Sequence, residues 1–380
     1  MNIIILGTGR IGQAISLDLS SHPELNLTIV DQDEERVNRL QKKLGLKGII
    51  ADLAQEKDIL DLVAGYDLVV NALPGKLGFR IMKAVIQAGI DEVDVSFFPE
   101  NPLNLNSLAK SKNLKILTDC GLAPGLSNLM VGRAYAQLDK IESVKIYVGG
   151  LPKERKLPWE FYSFFSPEDI VQEYIRPARL KKDNQILVKP ALEAIEHVYF
   201  RGIGTLEAFL TDGLRTLLYT LDIPNMEEKT LRYPGHREKI KFLQGLGLFG
   251  DNEVVLVNQK VIPLDLTTKL LAQAWFADDG QADYTVMRIE VIGRREGQEL
   301  KINYELIDEY DPDQKLSSMS RTTGFTTAAC VLLLKEGLLS STGVIPLEVI
   351  GQVDDCYSFI LKYLKERNIV IHENIEEKST

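Results

Sequence analysis

Gly7, Gly9 and Gly12 stand at G-x-G-x-x-G spacing in the run Gly7-Thr8-Gly9-Arg10-Ile11-Gly12, directly after four apolar residues, 3–6. The chemistry this spacing suits is the binding of a pyrophosphate. Gly7 permits a tight turn, Gly9 lets the backbone approach the phosphates, and Gly12 lets the following helix pack closely on the strand. The N-terminus of that helix then offers unpaired N–H groups and a partial positive charge. Asp31 lies 19 residues after Gly12, at the end of a second apolar run. An acid there can accept hydrogen bonds from both hydroxyls of an adenine ribose, and it repels a 2′-phosphate. The pattern predicts a bound dinucleotide, NAD rather than NADP. The plainer alternative is a nucleotide-free domain in which Asp31 only caps the next helix.

The surrounding elements support the first reading. Strands are expected at residues 3–6, 27–30, 48–51, 67–72, 92–95 and 114–117, with helices at 34–44 and 76–88 between them. That alternation is the signature of an α/β, doubly wound parallel sheet. Asp52, just past the third strand, is placed either against the adenine amino group or as the N-cap of a helix starting near Gln55. Ala72, Leu73 and Pro74 end the fourth strand, where such sheets border the cofactor. Asp94 and Asp119 fall at the carboxyl ends of neighbouring strands, the edge where ligands bind. The run Gly121-Leu-Ala-Pro124-Gly125 breaks the pattern and launches a helix over 126–137, a suitable interdomain hinge.

From residue 141 the texture becomes α+β. Strands of a mostly antiparallel sheet are expected at 144–148, 253–257, 286–292 and 300–307, with a turn at Gly149-Gly150-Leu151-Pro152. Residues 321–366 read as helical by period, broken by a loop at 342–346, and the charged last residues read as frayed. Chain length allows two domains with cores of their own. A net charge of −10 with 45% hydrophobic residues argues against nucleic acid or an anionic membrane surface as partner. With an expected strand from residue 2 and no long apolar span, the chain reads as lacking a signal peptide and as cytoplasmic. Three cysteines without C-x-x-C or histidine spacing predict neither zinc nor a disulfide framework, and no metal is expected.

The glycine loop, Val70-Asn71-Ala72-Leu73, Asp119-Cys-Gly121-Leu-Ala-Pro124-Gly125 and Leu231-Arg-Tyr-Pro-Gly235-His236 together resemble the saccharopine dehydrogenase (reductase-type) family. Tyr147-Val-Gly-Gly150, Thr205-Leu-Glu-Ala-Phe209 and the Arg321-Thr-Thr helix start extend the likeness over nearly the whole length. The resemblance implies a Rossmann domain (residues 1–124), an inserted α+β substrate and dimerisation domain (125–320) and C-terminal helices returning to the first domain (321–380). It implies a homodimer that transfers hydride between NAD and the carbon of a C–N bond in an amino acid. The lysine 6-dehydrogenase branch is the nearest in pattern, implying oxidation of the ε-carbon of L-lysine, release of ammonia and cyclisation of the semialdehyde. The alternatives are a saccharopine- or carboxynorspermidine-type reductase that forms the C–N bond, or an inactive NAD-binding regulatory protein. Two departures stand out: Asp212-Gly213-Leu214-Arg215-Thr216 replaces a Ser-Gly-Gly-Thr-like run, and Ala123 stands where saccharopine reductases carry an acid.

Amine oxidation needs a base to neutralise the ammonium and an acid for the leaving ammonia. His236, after Pro234-Gly235 at an expected helix start, is a candidate proton shuttle because imidazole titrates near neutrality. It could equally be a capping histidine. Asp119 is the second candidate, as ammonium binder or base, against a plain helix cap; Asp94 is weaker. For the substrate carboxylate, Arg215 and Arg232 are expected, since a guanidinium grips a carboxylate with two parallel bonds. Thr211 and Asp212 would complete that pocket, and Arg215 is the expected source of altered specificity.

Overall fold

The computed structural model describes residues 1–53, 56–257, 259–278 and 280–377. Asn2–Leu6 pairs in parallel with Asn26–Asp31 on one side and Leu68–Asn71 on the other. Outward from these lie Lys47–Ile50 beyond the former, then Asp91–Asp94 and Lys115–Thr118 beyond the latter. Strand order therefore reverses at Asn2–Leu6, and the loops at its carboxyl edge diverge to open a crevice. Ile3, Ile4, Ile5 and Leu6 are fully buried because helices cover both faces of the sheet. Each contributes roughly 1.5–3 kcal/mol by leaving water.

The six expected strands are present, and the structure adds a seventh. Gly343–Pro346, expected as a loop, pairs in parallel with Lys115–Thr118 and closes that edge of the sheet. Four residues carry too little periodicity to announce a strand, and Pro346 suits an edge because its missing N–H faces no ladder partner. The helix Ser318–Lys335 returns against Arg10–Leu19, where a side chain on Gly324 would press on Ala14. Asp354–Lys365 packs beside it. The fold is α/β, a doubly wound sheet completed by C-terminal helices.

The second sheet is mixed and built on three long strands, Lys140–Pro152, Asp283–Arg295 and Gln298–Glu309. Gly149-Gly150-Leu151-Pro152 does not turn; the strand continues through it. A side chain on Gly149 would meet the Leu231 backbone, so glycine is needed there for close strand approach. Met226–Arg232 pairs with Lys140–Pro152 in parallel, while the other ladders of this sheet are antiparallel. Val254–Leu256 leaves the sheet and forms a separate hairpin with Gln259–Val261. The expected frayed end is a strand, His372–Glu377, paired with Gln298–Glu309. Its charged side chains face water while its backbone ladder holds it.

Val144 and Ile146, with Met287, Ile289 and Val291, share one core with the helices Leu126–Gln137 and Ser318–Lys335 and with the first sheet. A smaller lobe of Pro167–Ile175, His236–Gly245 and Pro263–Ala274 closes around Phe161, Tyr174 and Trp275. Among the described residues no helix is long and apolar enough to cross a membrane.

Candidate active site

Between the first sheet's carboxyl edge, the second sheet and the small lobe lies a cavity of about 950 Å³. Gly7, Thr8, Gly9, Arg10 and Ile11 line it, as do Asp31, Asp52, Ala72, Leu73 and Pro74. Gly7 has φ +98°, a left-handed conformation that favours glycine. A Cβ on Gly12 would fall onto the Gly7 carbonyl, so this glycine sits behind the loop and sets helix-to-loop packing. A Cβ on Gly9 would meet open space, and Gly9 caps the helix Arg10–Leu19 without any side-chain bond. Thr8 donates to Asp31 Oδ2 from its amide at 2.7 Å and its hydroxyl at 2.9 Å, and the Asp33 amide donates to Oδ1 at 3.1 Å. These bonds fix the Asp31 carboxylate at the cavity wall. Asp52 also reaches the wall, while Gln55, where its alternative capping role would begin, lies outside the described residues. The cradle fits a dinucleotide: an open glycine approach, a helix N-terminus and a braced acid.

The rest of the cavity joins Asp119 and the Gly121–Pro124 loop to Thr230 and Arg232 of Met226–Arg232 and to Asp169 and Glu173 of Pro167–Ile175. Arg232 donates from Nε to the Tyr174 hydroxyl at 3.1 Å, from Nη1 to the Leu231 carbonyl at 3.0 Å and from Nη2 to Glu173 at 3.0 Å. Its guanidinium lies 4.6 Å over the Phe161 ring. A guanidinium has five N–H groups, so two remain beyond these three bonds. Arg232 is thus a buried, rigidly held cation at the cavity wall with donors in reserve.

Asp119 also lines the cavity, but its oxygens are occupied. Arg215 grips it from Nη2 at 3.0 Å and from Nε at 3.2 and 3.3 Å. Arg215 further donates to the Phe98 and Glu100 carbonyls. Both residues adopt left-handed backbone, with φ +55° and +51°. Arg215, expected as a substrate clamp, lies outside the cavity lining, and four of its five N–H groups bind Asp119 and backbone carbonyls. Asp94 is likewise behind the wall. Its Oδ1 accepts from Ser96, and burial raises its carboxyl to about 8, so at neutral pH it is mostly uncharged.

Asp212, expected beside the substrate, receives three bonds from Arg179 at 2.7–3.0 Å and does not reach the cavity. Thr211 sits one residue behind the wall, between Glu228 and Thr230. His236 does start a helix, but it lies outside the cavity lining. Its Nδ1 is 3.2 Å from the Trp159 carbonyl and its Nε2 is 3.0 Å from the Tyr174 hydroxyl. A carbonyl only accepts, so Nδ1 carries the hydrogen and Nε2 accepts from Tyr174. Burial, helped by the Arg232 charge, depresses its pKa to about 3. His236, expected as a proton shuttle or a capping histidine, sits in the core and orients Tyr174, which in turn supports Arg232.

Glu173, Tyr174, Thr230 and Glu228 were not anticipated. Glu228, Thr230 and Arg232 occur at alternate positions of one strand and so share a face. That period-two polar row is the available sequence signal, faint because a seven-residue strand rich in charge reads as exposed.

Residues 3–117 match the family model described as Saccharopine dehydrogenase NADP binding domain, and residues 121–370 match Saccharopine dehydrogenase C-terminal domain. Saccharopine dehydrogenase (NADP(+), L-glutamate-forming) of Saccharomyces cerevisiae is 24% identical over 263 residues, 66% of this chain and 59% of that protein. Mitochondrial alpha-aminoadipic semialdehyde synthase of Bos taurus is 22% identical over 280 residues, 69% of this chain but 30% of that protein. The chain thus spans less than two thirds of either. Carboxyaminopropylagmatine dehydrogenase of a Synechocystis species is 19% identical over 373 residues, 91% of this chain and 92% of that protein. The apo Saccharomyces cerevisiae saccharopine dehydrogenase (L-Glu forming) structure superposes with a TM-score of 0.80 at 18% identity, covering 99% of each chain.

Proposed function

The chain belongs to the saccharopine dehydrogenase family, and we propose that it is an NAD(P)-dependent oxidoreductase acting at the C–N bond of an amino acid, with the ε-amine of L-lysine the favoured substrate. The observation that carries this reading is Arg232: a buried cation with spare donors on the wall of the cavity that also holds the glycine loop. A carboxylate bound there would be held by charge-assisted bonds while the amine end lies elsewhere in the same cavity. The nicotinamide, when bound, supplies the hydride acceptor.

The protein's own part is positioning, proton control and exclusion of water. Glu173 and Tyr174 fix Arg232, and His236 fixes Tyr174. Asp119 lines the wall as the acidic half of an ion pair with Arg215. Phe161 and Phe164 supply apolar wall that keeps water scarce around the reacting carbon.

A second reading is favoured by the full-length likeness to a carboxyaminopropylagmatine dehydrogenase: C–N bond formation between an amine and an aldehyde. The two readings separate by product. Purified protein given NAD and L-lysine, ornithine, diaminopimelate or saccharopine should form NADH with L-lysine and release ammonia. NADH with saccharopine alone, without ammonia, would transfer the assignment to the C–N ligating branch.

NAD is proposed as the natural cofactor because the braced Asp31 carboxylate stands where a 2′-phosphate would be repelled. Arg36 and Arg39 also line the cavity and would suit a phosphate once that acid is gone. Wild type should favour NAD, and Asp31→Ser should shift the NAD/NADP ratio of kcat/KM by about tenfold or more toward NADP, the scale of losing bonds to a charged group. A wild type that prefers NADP would reverse this assignment.

A further inference from the structure

Glu228, Thr230 and Arg232 point from one face of the Met226–Arg232 strand, but only Thr230 and Arg232 line the cavity. Glu228 is buried behind them. Thr230 Oγ lies 2.8 Å from Thr211 Oγ, and Thr211 Oγ donates to Glu228 Oε2 at 2.7 Å. The Gly213 amide donates to the same oxygen at 3.0 Å. Each hydroxyl has one hydrogen, and an ionised carboxylate only accepts. With Glu228 ionised, the state that can take up a proton, the Thr211 hydrogen is therefore committed to Glu228 and the Thr230 hydrogen to Thr211. In that state Thr230 offers a ligand only lone pairs, so the ligand group that meets it must donate.

We propose that Thr230, Thr211 and Glu228 form a proton wire that takes a proton from the substrate's ammonium group and stores it on Glu228. The proposal rests on the amine-oxidation reading above. In the step, an N–H bond of the ammonium breaks and an O–H bond forms at Thr230. The Thr230 hydrogen passes to Thr211, and the Thr211 hydrogen passes to Glu228. An ammonium and a carboxylate become a neutral amine and a carboxylic acid. The electron pair of the broken N–H bond stays on nitrogen, where it can drive hydride from the adjacent carbon. No oxidant takes part in the wire itself. Run backwards, the same wire returns the proton to departing ammonia.

The surroundings suit a carboxyl that exchanges its proton. Glu173 faces Glu228 from Pro167–Ile175 and Asp212 faces it from the segment after Gly204–Leu210. Glu173 is bound by Arg232 and Asp212 by Arg179, while Lys229 points to the opposite face and binds Glu196. Burial, with the charges of Glu173 and Asp212, raises the Glu228 carboxyl to about 8 against the hydrogen bonds from Thr211 and Gly213. A group near that range exchanges protons efficiently at working pH. Thr211, expected in direct contact with substrate, is on this reading connected to it through Thr230.

Glu228→Gln keeps an amide oxygen for Thr211 and Gly213 but cannot take a proton. In wild type, kcat/KM for amine oxidation should rise with pH as Glu228 ionises. Glu228→Gln should lose that limb and about a hundredfold in kcat, within the range typical of a general base. Thr211→Val should do the same, and Thr211→Ser, which keeps the hydroxyl, should recover most of the loss. A merely structural role would lower the melting temperature and leave the pH limb in place. An unchanged limb in Glu228→Gln would overturn the wire while amine oxidation stands. Should wild type oxidise no amine, the functional reading falls, and infrared titration still decides the wire. A protonated-carboxyl band that is missing from Glu228→Gln should disappear from the unliganded protein as pH passes about 8. A Glu228 already ionised near its ordinary value of about 4.3 would overturn the wire by itself.

Discussion

Arg215→Met is expected to destabilise the protein by about 3–5 kcal/mol, the cost of leaving a buried charge without its partner. Asp119 and Arg215 are both almost wholly buried, and Arg215 supplies each Asp119 bond described above. Without the guanidinium, Asp119 must stay charged in a poor solvent or take up a proton, and the Phe98 and Glu100 carbonyls lose a donor. Asp119→Asn/Arg215→Met should regain part of the loss, because the amide is uncharged and asparagine tolerates the left-handed backbone at φ +55°. Chemical denaturation of the three proteins measures this. A single Arg215→Met variant as stable as wild type would mean that water reaches Asp119 and that the pair is not the brace described. A large rise in substrate KM with unchanged stability would instead reinstate Arg215 as the substrate clamp.

Arg232→Met carries the second large effect. Losing two charge-assisted bonds to a substrate carboxylate should raise KM by about ten- to a hundredfold, following the 1.5–3 kcal/mol of bonds to charged groups. Cofactor affinity should hardly change, because Arg232 stands on the second sheet while the glycine loop stands on the first. Arg232 also neutralises Glu173, so the single variant will lose stability as well. Arg232→Met/Glu173→Gln removes that buried carboxylate and should restore stability without restoring KM. If the double variant recovered KM too, Arg232 would be acting through the fold rather than on the substrate.

The readable parts of this protein were the local ones. Residues 3–6 and the glycine loop specify strand, turn and helix within a dozen positions, and five further strands followed from short apolar runs. Gly343–Pro346 escaped because a four-residue edge strand has no period of its own. The Gly149–Gly150 pair resembled a turn because the reason for glycine lies on another strand, at Leu231. Site residues divided the same way. Asp119 and Arg215 were both singled out, but their bond joins positions 96 apart, and only the fold shows that each consumes the other. His236 stands out by its type, and only the fold sets it among Tyr174, Trp159 and Trp275, outside the cavity lining. Arg232 kept its expected place at the cavity because its strand, rather than a loop, carries it there.

Isotope transfer tests the proposed hydride transfer from an amine-bearing carbon most directly. The measurement is mass spectrometry of the nicotinamide recovered after the protein is incubated with NAD and L-lysine deuterated at the ε-carbon. Deuterium in the reduced cofactor, with a slower rate than for unlabelled lysine, is the predicted result. Reduced cofactor free of deuterium would place the oxidation at another carbon. Bound NAD with no reduction by lysine or the other amines would contradict an amine-oxidising role and return the chain to a cofactor-binding one.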